Sequence, residues 1–119
     1  MASHNDLGKK GEELATVYLS SLGYEILERN YRFEKSEVDI IARIGNDLVF
    51  VEVKTRTTAL FGNPEEAVSA AKRKKVIQAA ENYLETNQSG LEPRFDVIAI
   101  TGTTAKHEIH HIEDAFFFE

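Results

Sequence analysis

Two acidic residues and a lysine stand out by type and spacing: Asp39 in Glu37-Val38-Asp39, then Glu52 and Lys54 in Glu52-Val53-Lys54. Between them Gly45-Asn46 is the signal of a two-residue hairpin, with branched residues on either side. With those two residues as the turn, Ile44 pairs with Asp47, Asp39 falls opposite Glu52, and Glu37 falls opposite Lys54. Residues so opposed hold their Cβ atoms about 5 Å apart on one sheet face. Alternation places Lys54 on the face of Glu52. Two carboxylates facing each other repel, which raises the pKa of one of them. A single lysine offsets part of that repulsion, and a hard divalent cation such as Mg²⁺ or Mn²⁺ offsets more, because oxygen ligands suit it. A cross-strand ion-pair ladder on a solvated face is the competing reading, and the pattern alone leaves both open.

The surrounding elements follow from periodicity. Leu7, Gly11, Leu14, Ala15, Tyr18 and Leu22 recur at helical steps, with Asn5 or Asp6 as the expected cap and Gly23 as the stop. Gly8, Gly11 and Ala15 give that helix a narrow side suited to close packing on a sheet. A short strand is expected over Tyr24–Leu27, then a polar stretch to Lys35. Val38–Ile44 and Leu48–Lys54 read as strands, and Thr57 through Pro64 as a loop. A second helix is expected over Ala70–Glu85, with Val76, Ala80, Tyr83 and Leu84 on one face. Phe95–Ile100 reads as an interior strand and Ile109–Ile112 as a short edge strand. The order predicts an α/β fold, a mixed central sheet flanked by helices.

Composition narrows the classes. The 119 residues fit one domain, 1–119, with one core. No cysteine is present, so disulfides and thiolate metal sites are excluded. The longest apolar runs are far too short to span a bilayer, so no membrane partner is expected. The polar N-terminal stretch lacks a secretory pattern, and a cytoplasmic location is the expectation. Net charge is −6, which counts against a nucleic-acid partner, since Lys and Arg contacts to phosphate supply much of such affinity. Distribution weighs more than the total, however, and Lys72, Arg73, Lys74 and Lys75 stand together.

These residues, taken in order, resemble the PD-(D/E)xK nuclease superfamily, and within it the archaeal Holliday-junction resolvase branch. Over nearly its whole length the chain resembles the YraN-like family of small bacterial proteins. The resemblance is carried by Gly8, Gly11, Glu12 and Ala15, by Asn30 with Arg32, by Val49 through Arg56, by Pro64 through Val68, by Lys72, and by Arg94 through Val97. It departs at Ser36-Glu37, where the family's usual pair is Gly-Glu, and at Val38, where the superfamily's proline is absent.

That resemblance implies a restriction-endonuclease-like fold and metal-assisted hydrolysis of a nucleic-acid phosphodiester, DNA foremost, with branched or structured DNA as one substrate class. Asp39 and Glu52 would be metal ligands, the Val53 carbonyl another, and Glu12 an added acidic ligand; Lys54 would steady the attacking water and the developing charge. Mg²⁺ or Mn²⁺ would be the cofactor. A non-cleaving nucleic-acid-binding module and a protein-interaction subunit are the alternatives.

Remaining features divide between function and structure. Lys72 and Lys75 are candidates for nucleic-acid contact, because cations in a helix's first turn are disfavoured unless an anion docks there; a solvated face balanced by Glu65 and Glu66 is the other reading. Arg56 is a candidate phosphate contact or an exit-strand ion pair. Arg94 and Asp96 are expected to form a structural pair, and His107, His110 and His111 to lie on the surface. Phe116, Phe117 and Phe118 are expected to cover the core or to form a homodimer interface.

Overall fold

The computed structural model describes residues 4–56 and 68–118, and side chains from Lys10 onward. The chain runs as helix α1 (His4–Ser21), strands β1 (Glu25–Phe33), β2 (Ser36–Ile44) and β3 (Asp47–Arg56), helix α2 (Ala70–Thr86), then strands β4 (Glu92–Gly102) and β5 (His107–Phe116). One five-stranded sheet has the order β1-β2-β3-β4-β5. The β3–β4 pairing is parallel and the other three are antiparallel. The parallel pair requires a crossover, which α2 supplies. This is the mixed sheet with flanking helices that the pattern predicts, consistent with a restriction-endonuclease-like arrangement. None of the described helices is long and apolar enough to cross a membrane.

The two faces of the sheet have separate cores. Alternation in β3 sends Leu48 and Phe50 to the α2 side, with Val76, Ala80, Tyr83 and Phe95. It sends Val49 and Val51 to the α1 side, with Ala15, Leu19, Ile40 and Ile98. Helix α1 lies close because Gly11 has no side chain: a Cβ there would stand 2.4 Å from the Thr55 methyl. The narrow side predicted for this helix therefore packs on β3 at Gly11 and Ala15. The surroundings of Gly8 and the Thr57–Ala67 segment, with its Pro64-Glu65-Glu66-Ala67 motif, lie outside the described residues.

Several boundaries differ from expectation. The helix reaches back to His4, so Asn5 and Asp6 lie inside it rather than capping it. Its end is as predicted, with Gly23 at φ 93° and its N–H bonded to the Ser20 carbonyl. The polar stretch expected after a short strand belongs, as far as Phe33, to the same nine-residue edge strand, β1. A register shift between Ile26 and Glu28, and a left-handed Asn30 (φ 54°), break its alternation and hide it. Strand β5 is an edge strand but not a short one, and a register shift opposite Phe95–Val97 interrupts it in the same way. Phe116 is buried and stacks on Phe95, Phe118 meets Phe95 edge-on, and Phe117 is exposed.

Candidate metal centre

The hairpin register is the one predicted, with Ile44 opposite Asp47 and Ile40 opposite Val51. The ladder stops there. Beyond Ile40, strand β2 keeps its pairing with β1, from Val38 with Tyr31 to Ser36 with Phe33. Strand β3 continues beside β4, from Glu52 with Val97 to Arg56 with Thr101. The sheet thus forks, with Asp39 on one prong and Glu52 on the other.

Both acids are buried at the fork, Asp39 at 6% exposure and Glu52 at 5%. Asp39 Oδ2 accepts the Val53 N–H at 2.8 Å. The two carboxyls are close enough to perturb each other. Burial, and then the neighbouring Asp39 charge, push the Glu52 carboxyl up to about 8. Burial raises Asp39 as well, against the lowering effect of the Val53 N–H. This is the mutually repelling carboxylate pair the sequence pattern implies, with Asp39 held by a backbone N–H and Glu52 facing Lys72. Glu37 departs from expectation: it pairs with Arg32 at 3.1 Å, because the ladder that would set it opposite Lys54 has already opened.

A cleft of about 400 Å³ opens at the fork, walled by Glu12, Asp39, Glu52, Lys54 and Lys72, with Val53, Thr55 and Ser69. Glu12 arrives from α1, one residue after the glycine that lets that helix approach. Burial first, then the Asp39 charge, raise its pKa, while Arg29 and the hydrogen-bonded Asn30 pull it down. Lys54 is exposed on the cleft wall. Ser69 caps α2, accepting the Lys72 N–H at 3.2 Å, and Lys72 Nζ reaches to 3.5 Å from Glu52 Oε2. Sequence reasoning missed Ser69 and Thr55; a serine just before a predicted helix was a usable signal for the first.

Two nucleic-acid candidates stand apart from the cleft. Lys75 is exposed one turn further along α2. The cleft adjoins only the first turn of that helix, so three residues of rise carry Lys75 about 4.5 Å along the axis. Arg56 is half-buried at the end of β3 and is not part of the cleft wall.

The donors in the cleft fit a hard cation. All are oxygens, and among the described residues Glu12 Oε1 and Glu52 Oε1 are buried with no hydrogen-bond partner. Asp39 and Glu52 form the close pair, and Glu12 stands at longer range: among the described residues no three His, Cys, Asp or Glu side chains converge on one point.

A second polar cluster lies elsewhere in the sheet. Asp96, fully buried, accepts two hydrogen bonds from Arg94, one from the Asp114 N–H and one from His111. Arg94 also binds Asp47 and the Tyr24 hydroxyl. The expected Arg94–Asp96 pair is present. His111 is a correction: it is buried between Asp96 and the Tyr18 hydroxyl, not on the surface. It pairs with Ile98 in the regular part of β5 and shares the α1-facing side with Ile109, so alternation from Ile109 was a usable signal of its inward direction. Burial alone would raise the Asp96 pKa, but the bonds from His111, Arg94 and Asp114 hold it below the usual carboxylate range.

Fold and cleft together define a small α/β protein with a paired-carboxylate site at a forked mixed sheet. The model of the uncharacterised protein family UPF0102 matches residues 11–100, and the chain belongs to that family. Relatives agree over nearly full length. The UPF0102 protein of Christiangramia forsetii is 52% identical over 118 residues, covering 99% of each chain. That of Flavobacterium psychrophilum is 48% identical, covering 98% of each. That of Geobacter metallireducens is 47% identical, covering 98% of this chain and 97% of the other.

Proposed function

We propose that this chain is a divalent-metal-dependent endonuclease of the PD-(D/E)xK type, acting on DNA, with branched or structured DNA as one substrate class. The observation that carries the reading is the buried Asp39–Glu52 pair at the fork, with Lys54 on the same cleft wall. A fold does not define an activity, so the case rests on these side chains. Asp39 and Glu52 would hold Mg²⁺ or Mn²⁺, with Glu12 and the Val53 carbonyl as further oxygens. Bound there, the ion would supply Lewis-acid stabilisation of the phosphate and an activated water. The chain's own groups do the rest. The Val53 N–H fixes the Asp39 carboxylate, Lys54 presents an ammonium to developing negative charge, and the walls of the cleft position the scissile group. No covalent protein intermediate is required.

Incubation of synthetic junction, flap and single-stranded DNA with Mg²⁺ or Mn²⁺ tests the reading. The wild-type chain is expected to cut at least one of them and Asp39→Asn none. Metal binding without cutting of any substrate would favour a non-cleaving nucleic-acid-binding module, whose affinity for DNA the net charge of −6 would keep weak.

A further inference from the structure

Lys72 is in an unusual place for a cation. It sits in the first turn of α2, which carries no acidic residue, and its own N–H bonds to the Ser69 cap. A positive charge there opposes the helix dipole. Its side chain, about one-third exposed, turns back to the fork and sets Nζ 3.5 Å from Glu52 Oε2. That distance is long for a charge-assisted hydrogen bond, which runs about 2.7–2.9 Å. The contact is therefore a loose electrostatic one. The other oxygen of Glu52 has no partner among the described residues. Glu52 thus meets a positive charge on one side and an open coordination position on the other.

We propose that Lys72 is a resident counter-ion, which holds Glu52 at the fork while the site is empty and is displaced from it when a divalent ion enters. This rests on the reading that the fork binds such an ion. Two cations cannot share one buried carboxylate without repulsion. The lysine is the one that yields, since its long side chain is partly solvated and its 3.5 Å contact with Glu52 is a long one. Lys72 accordingly sets how tightly the ion is held. Once released, its ammonium remains on the cleft wall, where an anionic phosphate oxygen would replace Glu52 as its partner. Binding of ion and of phosphodiester therefore reinforce each other.

Calorimetric titration of Mn²⁺ into the wild-type chain, Lys72→Met, Lys72→Arg and Lys74→Met, at one pH, tests this. Lys74 is exposed, so its loss removes the same charge without the contact. Lys72→Met is expected to bind Mn²⁺ about three- to tenfold more tightly than wild type. Lys72→Arg restores the wild-type affinity, and Lys74→Met shifts it by less than about twofold, as a solvent-screened charge should. If wild type binds Mn²⁺ and Lys72→Met binds it no more tightly, Lys72 merely supports the site; the inference is then overturned and the metal reading stands. If neither wild type nor any variant binds Mn²⁺, the metal reading fails and the inference falls with it.

Discussion

Asp39 Oδ2 accepts the Val53 N–H at 2.8 Å, so a side chain on β2 takes a β3 backbone donor at the point where the two strands stop pairing. The bond closes the fork and aims the carboxylate at Glu52. It separates two roles of Asp39 that substitution can tell apart. Asparagine keeps an acceptor for Val53 and gives Glu52 a donor; alanine does neither. Leaving a buried N–H without a partner costs about 1–3 kcal/mol. Asp39→Asn is therefore expected to be more stable than Asp39→Ala by about that amount in urea unfolding. Both are expected to lose Mn²⁺ binding by at least about a hundredfold in calorimetry. Equal stability of the two variants would remove the backbone role.

Stability should fall with rising pH in the metal-free protein. Glu52 is raised from 4.5 to about 8, so the folded chain keeps a proton that the unfolded chain releases. A raised carboxyl contributes stability that is full below the unfolded value and is lost as pH climbs through the folded one. Melting temperature is thus expected to decline between about pH 5 and pH 8, and Glu52→Gln to reduce the decline, the raised Asp39 and Glu12 carboxyls leaving a remainder. Mn²⁺ competes with the proton, so its apparent affinity should rise over the same window. A wild-type profile that is flat across it would contradict the raised Glu52 carboxyl.

The contact between Gly11 and Thr55 decides whether Glu12 reaches the cleft. Alanine at position 11 gains about 1 kcal/mol of helix propensity. Its Cβ would meet the Thr55 methyl at 2.4 Å, and overpacking of that kind costs about 1–3 kcal/mol. Gly11→Ala is expected to be net destabilising by about 1 kcal/mol. Combining it with Thr55→Ser, which deletes the methyl, should recover most of the loss in a double-mutant cycle. Additive effects would mean that α1 does not rest on that methyl.

The buried Asp96 has the opposite pH signature to Glu52. Its pKa is held low, so its contribution is present above the ordinary carboxylate range and is lost as pH falls through the folded value. Asp96→Asn should therefore blunt acid unfolding below about pH 4. Arg94→Met strands the buried carboxylate and is expected to cost about 3 kcal/mol, measured by chemical denaturation. A loss under about 0.5 kcal/mol would show that His111 and the Asp114 N–H suffice to hold Asp96.

Much of this protein was legible in residue order because the deciding interactions are local. The Gly45-Asn46 turn sets the hairpin register, and register sets which side chains face one another, so the meeting of Asp39 and Glu52 follows from the chain alone. Helix α2 was equally plain because its apolar residues recur at the helical period, and the interior strand β4 because Phe95–Ile100 is a short, largely apolar run. What tertiary structure decided lies where that periodicity breaks. Register shifts concealed one half of β1 and the end of β5 beyond Ile112, and His111 is buried by partners from two other elements, Tyr18 of α1 and Asp96 of β4. The fork itself has no sequence signal. It arises because β2 stays with β1 while β3 stays with β4, a competition between distant pairings. Only that competition brings Glu12 from one layer and Lys72 from the other to the same pair of acids.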